Sequence, residues 1–518
     1  MNKKLNKVFV ALSSLTIFSC AKNVEVNNFK IDDLELHVYD QNNDLKIHDI
    51  SKIDRISYSF EGNNIRIEDN KVIALKANTE TTVKAKYENL ETSFKVKVLN
   101  REYISNHKEA EEKEGWFDEV DVKKIDGLRK EFAKGMDISS VKNLYDNGAK
   151  FYNSDGIEQS IFQILKEKGV NYIRVRLWNE PYDYLDENKQ TLFKYGGGNC
   201  DLNNALWITK EAKEAGLNVF LDFHYSDFWA DPGNQVVPKM WKDIKTNVEM
   251  KEAIYNYTFE TLNIFKEKNI LPDVVSIGNE ISNGILTKNP GGITDKPSGD
   301  NPLYIKNATT KKDGVEGSYD YTTNKETNKN FLMYINAGLD AVKDVSKDIK
   351  TAIHYAGNLE YYDYINQFFS IFDSENLDIL GLSAYSFYHF SNMEILKNSL
   401  ENISKTYKNK QIMIAETSYG FTYEEDRFAN NSFYSSGDTK PIENYPCSIN
   451  GQAQILRDTI EAISSIENGF GLFYWEGAWI PKEKCGWGDE LSKASWANQA
   501  LFSYDGKALG SLDVFNKI

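Results

Sequence analysis

Residues 274–284 read VVSIGNEISNG. Val274 to Ile277 suit a buried strand, and the chain then breaks at Gly278 and presents an amide and a carboxylate, Asn279 and Glu280. A short apolar run bounded by a turn residue fits a strand covered on both faces. The same form recurs in FAKGMDIS (132–139), NYIRVRLW (171–178), NVFLDFHY (218–225) and DVVSIGNE (273–280). It continues in KTAIHYAG (350–357), DILGLSAYS (378–386), QIMIAETSYG (411–420) and GFGLFYWEG (469–477). Between them lie amphipathic stretches such as GIEQSIFQILKEKG (156–169), ALWITKEAKEAG (205–216) and AQILRDTIEAISSIENG (453–469). Eight alternating strand and helix units predict an α/β fold, a (β/α)8 barrel over residues 131–518. The competing architecture is a doubly wound open sheet. No GxGxxG or GxxxxGK(S/T) run follows any of these strands, which weakens it.

The rest of the 518-residue chain divides by composition. Residues 24–100 hold short alternating runs separated by Asn, Asp, Glu and Gly, and predict a small all-β domain. Within it, 65–99 resembles the group 2 bacterial Ig-like domains, whose expected service is to space the barrel from a surface. Residues 101–130 are charge-rich and lack apolar period, which reads as a linker, helical in part around 107–114. The formal charge of −16, with no local basic patch, argues against a nucleic-acid partner.

Residues 1–20 read as a signal segment. Lys3, Lys4 and Lys7 precede an apolar stretch, Val8 to Phe18, too short to span a bilayer. Its end, Ile17-Phe18-Ser19-Cys20, resembles a bacterial lipobox with Cys20 as the lipidated residue, although Phe18 is an unusual residue there. The alternative is an ordinary signal peptide cut nearby. Both imply export, either to a membrane or cell-surface anchor or to release outside the cell.

In a (β/α)8 barrel the active site lies at the C-terminal strand ends. Here those ends carry Asp137; Arg174, Arg176, Trp178 and Asn179; Asp222, His224, Tyr225 and Asp227; and Asn279 with Glu280. The later four carry His354; Tyr385, Tyr388 and His389; Glu416; and Trp475 with Glu476. A single carboxylate at such a place is as well explained by capping the next helix. Two of them, Glu280 and Glu416, on the fourth and seventh strands, point instead to retaining glycoside hydrolysis, where one carboxyl protonates the leaving oxygen and the other attacks. That division needs two surroundings that push the pKa values apart. Arg174 and Arg176 alternate with Ile173, Val175 and Leu177, so both point into the barrel, where an arginine beside a carboxylate keeps it ionised. A structural ion pair with Asp137 or Asp222 explains either arginine equally well. Trp178, Trp229, Trp241, Trp475 and Trp479 offer faces for sugar rings or simply fill the core.

Taken together, these stretches carry a resemblance. GMDISS (135–140), YIRVRLWNEPYD (172–183), GGGNCDL (196–202), LDFHYSDFWADP (221–232) and VSIGNE (275–280) resemble the endo-β-1,4-galactanases of glycoside hydrolase family 53. So do AETSYG (415–420), NGQAQILRD (450–458), GLFYWEGAWIP (471–481) and NQALFSYDGKALGSLDVF (498–515). The resemblance implies a retaining enzyme that cleaves within β-1,4-galactan, the side chains of type I arabinogalactan in pectin; a monomer is expected. It implies Glu280 as acid/base and Glu416 as nucleophile, with Asn279 on the sugar 2-OH and Arg174, His224 and Trp475 lining the −1 region. Asp137, Arg176, Trp178, Asp227, Trp229 and Tyr385 complete the expected substrate-binding set. A mannanase, a xylanase or a barrel that binds glycan without cleaving it are the alternatives.

The sequence departs from the family pattern in two places. Gly477 stands in WEGAW where members usually carry proline. Some bacterial members bind calcium through an Asp-x-Asp-x-His-x-Asn run after the seventh strand and an Asp before NQALF. Here the first reads EEDRFANN (424–431) and Ala497 occupies the second, so most oxygen ligands are lost and no cofactor is expected. Cys447 and Cys485 fall in the two loops that calcium would tie together. In an oxidising compartment a Cys447–Cys485 disulfide is expected to take its place, leaving Cys200 free.

Overall fold

The computed structural model describes residues 28–50, 53–184, 192–194, 199–290, 299–303, 325–435, 440–488, 493 and 496–518. The signal segment with Cys20, and much of the 288–328 insert, lie outside the described residues. Two units are distinguished: residues up to 74 together with 78–99, and residues 75–77 together with 100–518. No helix of the described residues is long and apolar enough to cross a membrane.

In the smaller unit, strands Leu34–His37, Ser57–Ser59, Thr79–Tyr87 and Leu90–Leu99 form a four-stranded sheet. The long hairpin alternates as its sequence does. Val83, Ala85, Phe94, Val96 and Val98 are buried, while Lys84, Lys86, Lys95 and Lys97 are exposed.

The larger unit is a closed barrel of eight strands. These are β1 (Ala133–Asp137), β2 (Tyr172–Leu177), β3 (Asn218–Phe223) and β4 (Val274–Ile277), followed by β5 (Lys350–Tyr355), β6 (Ile379–Ser383), β7 (Gln411–Thr417) and β8 (Gly469–Tyr474). Every neighbouring pair is parallel, and β8 closes on β1 with Tyr474 beside Met136. Alternation along the strands sorts the side chains. Ala133, Phe220, Val274, Ala352, Ile379, Met413 and Phe473 form an apolar layer of their own. Ile173, Val175, Leu177, Val219 and Leu221 join the core shared with the helices. Arg174 lies over that inner layer, its guanidinium carbon 5.6 Å from the centre of the Phe220 ring. The helices that hold the strands in place are capped from the sequence: Thr246 and Glu249 form a reciprocal capping box at Asn247–Glu267, and Ser448 caps Ile449–Ser464.

Two expectations change. The stretch 101–130 is packed onto the barrel unit: Trp116, Val120 and Ile125 are buried in its core, behind a short helix at Lys108–Glu114. Three anchors at irregular spacing hold it, which is why no period showed. The Cys447–Cys485 disulfide does not form; Cys200, Cys447 and Cys485 are all free and buried. Cys447 packs with Tyr419, Phe433 and Ile455, whereas the Cys485 thiol donates to the Asn143 carbonyl at 3.5 Å in the main core. The two thiols belong to different neighbourhoods, and burial pushes each up to about 12.

Candidate active site

Strand β4 ends at Ile277, and Gly278 turns the chain with φ 84°. A Cβ there would meet Ile281 Cγ2 at 2.5 Å, so only glycine fits. Two residues on, Glu280 is itself left-handed, φ 47°, and Glu476 after β8 repeats this at φ 46°. Non-glycine residues held there are costly, and the cost here aims a carboxylate away from the wall. The polar end of VVSIGNE is therefore the floor of a cleft.

That cleft is a cavity of about 410 Å³ at the C-terminal strand ends. His224, Trp229, Asp231, Asn279, Glu280, Tyr385, Tyr388, His389, Glu416, Trp475, Trp487, Trp496 and Gln499 are among its lining. One wall is thus largely tryptophan. Trp487 stacks on Trp229 with ring centres 4.1 Å apart, and Trp496 stands edge-on to Trp487 at 4.5 Å. Flat aromatic faces with a few polar groups between them suit sugar rings, which are apolar on one face and bristle with hydroxyls at the edge.

Arg174 organises the charge. Its guanidinium lies 2.7 Å from each of Asp137 Oδ2, Asp222 Oδ2 and Glu416 Oε1, and donates to Asn279 Oδ1 at 2.8 Å. The second Glu416 oxygen accepts from the Tyr385 hydroxyl at 2.8 Å. Among the described residues Glu280 touches no cation; its contact is Ser383 Oγ at 2.5 Å from Oε1. Burial raises both glutamates, and the charge of Glu416 raises Glu280 further, well above the usual carboxylate range. Arg174 and Tyr385 oppose the rise at Glu416. The first proton therefore goes to Glu280 and the negative charge stays on Glu416.

The other residues singled out in the sequence separate into two shells. His224, Trp229, Asn279, Tyr385 and Trp475 line the cavity with both glutamates. Asp137, Arg174, Arg176, Trp178 and Asp227 lie behind that lining. Trp178 Nε1 donates to His224 Nδ1 at 3.2 Å, and Asp227 accepts the backbone N–H groups of Glu180 and Lys239. Trp178 thus bonds a residue of the cleft without facing it, and Asp227 ties the loops after β2 and β3 together. Ser383, Trp487, Trp496 and Gln499 were not singled out from the sequence. Ser383 stands at the end of β6, so the strand-end rule would have found it; the others come from loops, where no pattern points to a common cavity.

At the departure from the family pattern, the Gly477 N–H donates to the Asp137 carbonyl at 3.2 Å, a bond that proline cannot make. The calcium positions do not fit a metal. Asp426 is paired with His107 at 3.5 Å, and Ala497 has no side-chain oxygen: its N–H donates to the Asn430 carbonyl and its own carbonyl accepts from the Ala500 N–H. Among the described residues no group of three or more His, Cys, Asp or Glu side chains is arranged to hold an ion.

Comparison with known proteins gives the family and agrees with the barrel fold. The profile of glycosyl hydrolase family 53 matches residues 133–515. An endo-beta-1,4-galactanase of Bacillus subtilis is 34% identical over 427 residues, 76% of this chain and 87% of the relative. An arabinogalactan endo-beta-1,4-galactanase of Thermothelomyces thermophilus is 33% identical over 386 residues, 74% of this chain and 99% of the relative. Among solved structures, the GH53 catalytic domain of Ignisphaera aggregans superposes with a TM-score of 0.64 at 35% identity, covering 77% of this chain and 99% of that one.

Proposed function

The chain belongs to glycosyl hydrolase family 53, and from that premise we propose that it is an endo-β-1,4-galactanase acting on type I arabinogalactan by a retaining double displacement. Glu280 protonates the glycosidic oxygen while Glu416 attacks the anomeric carbon. In the second half Glu280, now a carboxylate, takes a proton from water, and that water displaces Glu416. The observation that carries this reading is the asymmetry of the two glutamates in one cavity: Glu416 is held by Arg174 and Tyr385, and Glu280 by no cation among the described residues. Arg174 and Tyr385 keep the attacking carboxylate charged and aimed, and the tryptophan wall offers the polysaccharide its stacking surface.

Export completes the proposal. A lipid anchor at Cys20 would hold the enzyme at a bacterial membrane or surface, with the small β domain as a spacer. The discriminating experiment incubates the full chain with galactan, mannan and xylan and follows anomeric configuration by NMR. The expected result is oligosaccharide release from galactan alone with β products first. Glu416→Gln is expected to lose about 10⁴-fold or more in kcat. Inverted products, or equal cleavage of mannan, would overturn the reading.

A further inference from the structure

One hydrogen-bond chain in the cleft runs from β2 to β6, and its directions can be assigned atom by atom. Asn279 Nδ2 donates to the Ala230 carbonyl at 2.7 Å, which fixes the amide's orientation. Its Oδ1 accepts from Arg174 at 2.8 Å and lies 2.9 Å from His354 Nδ1. An amide oxygen can only accept, so His354 Nδ1 bears a hydrogen. His354 is fully buried and faces Arg174, Asp222, His224 and His389. Burial and then the charge of Arg174 hold the ring neutral, its pKa down to about 3. A neutral ring with hydrogen on Nδ1 carries a bare lone pair on Nε2, and that nitrogen is 2.9 Å from Ser383 Oγ. The one hydrogen of the Ser383 hydroxyl is thereby committed to His354. Glu280 Oε1 lies 2.5 Å from the same Oγ, and the donor left for that contact is the carboxyl itself.

We infer that His354 and Ser383 are positioning residues that keep the proton on Glu280, by offering it a hydrogen-bond acceptor where a lone serine would offer a donor. The inference rests on Glu280 being the acid/base of the proposed reaction. The groups facing Glu280 are Glu416 from β7, Arg174 from β2, Ser383 from β6, Tyr385 beyond it and Asp231 from the loop after β3. None of them presents Glu280 with a full positive charge in contact. When Glu280 gives its proton to the leaving oxygen, the Ser383 hydroxyl can turn from His354 to the new carboxylate, leaving Nε2 without its donor. When Glu280 takes a proton from the attacking water, the hydroxyl turns back. The chain ends each turnover with the hydrogens it began with.

The test is the sign of a shift. The basic limb of kcat/KM against pH reports loss of the Glu280 proton in the free enzyme. His354→Asn retains a donor for Asn279 but has no nitrogen to receive the Ser383 hydrogen, so the hydroxyl is free to donate to an ionised Glu280. The basic limb is expected to fall by about half to one pH unit, because the neutral form no longer has the better set of bonds. A limb that rises would mean that His354 carries the proton; a limb that stays put, with only a lower rate or melting temperature, would mean a purely structural histidine. Either result overturns the inference. Should that variant fail to fold, infrared spectra of the unmutated chain decide. A carboxylic-acid carbonyl band at neutral pH, removed in Glu280→Gln and shifted to higher frequency in Ser383→Ala but not in Ser383→Thr, is expected. Absence of the band, or a band indifferent to Ser383→Ala, would overturn the inference. If Glu280→Gln kept its galactanase activity, the proposed acid/base role would fail, and the band would still report on the chain.

Discussion

Arg174 and Arg176 leave the same strand two residues apart, both fully buried, and both meet a glutamate from the last two strands of the barrel. Their surroundings differ. Arg174 is ringed by Asp137, Asp222 and Glu416, three carboxylates to one guanidinium. Arg176 holds Glu476 at 2.5 Å, with Asp137 more distant at 3.6 Å, and lies under an aromatic roof, 4.4 Å from the centre of the Trp229 ring. Glu416 lines the cavity and Glu476 does not. A buried Arg–Glu pair therefore identifies neither a site nor a brace by itself. Contact with the cavity separates the two: one pair holds the proposed nucleophile, the other stands behind the tryptophan wall of the cavity.

The largest break in that comparison should come at Arg174. Arg174→Lys keeps a charge but loses the fork that reaches four partners. The expected loss is about 10²- to 10³-fold in kcat, as for removal of a preorganised donor at a reacting group. The acidic limb of the pH profile should also rise, because Glu416 loses the group that opposes its protonation. A variant with near-normal kcat would show that Arg174 is a structural ion pair only. Glu476→Gln should act more weakly and on the other parameter. Its amide can still meet Ser140, whose hydroxyl donates to Glu476 at 2.7 Å, but Arg176 loses its nearest carboxylate. A rise in KM of about threefold to tenfold with kcat nearly unchanged is expected, since what loosens is the Trp229 wall.

Glu476 also carries a pH signature. Burial pushes it up to about 7 in the folded chain, against 4.5 for an ordinary glutamate. A carboxyl raised on folding stabilises fully below its unfolded pKa, and that stabilisation is lost as pH rises through the folded value. Between roughly pH 4.5 and 7 the unmutated chain should lose melting temperature that Glu476→Gln does not lose. Parallel curves for the two proteins would show that Glu476 is ionised throughout.

How much of this was legible beforehand follows from what each feature depends on. The eight strands were legible because apolar runs and helical period are local, and Glu280 and Glu416 because strand ends mark the cleft in this architecture. The separation of Arg174 from Arg176 was not, since alternation sends both inward and only contacts across the barrel tell them apart. The role of Ser383 depends on which way one hydrogen points, which no residue pattern encodes. Cys447 and Cys485 were paired on loop position alone, and the loops place them in separate pockets of core. Trp116 and its neighbours were read as linker because an anchor without period looks like a charged tether.

That former linker supplies the smallest predicted effect on catalysis and a third kind of buried charge. His107 lies between Asp426, from the loop after β7, and Asp505, beyond β8, at 3.5 and 3.3 Å. Its ring packs edge-on against Tyr504 with centres 5.0 Å apart. Glu424 and Glu111 add negative charge nearby. Burial alone would push His107 down, but its bonds to the two aspartates outweigh that and raise it to about 10. Here one cation is outnumbered by acids as at Arg174, yet none of these side chains lines the cavity that holds the two glutamates, so stability alone should respond. A histidine raised on folding stabilises fully below its unfolded pKa of about 6.5 and ceases to as pH passes its folded value. His107→Gln should cost on the order of 1–3 kcal/mol at pH 6, and the difference should shrink steadily from pH 7 to about 10. Kinetic constants on galactan below the melting transition should stay within about twofold. A penalty that is flat across that window would mean that His107 is held neutral by its aromatic neighbours, and that the acids beside it are balanced by solvent.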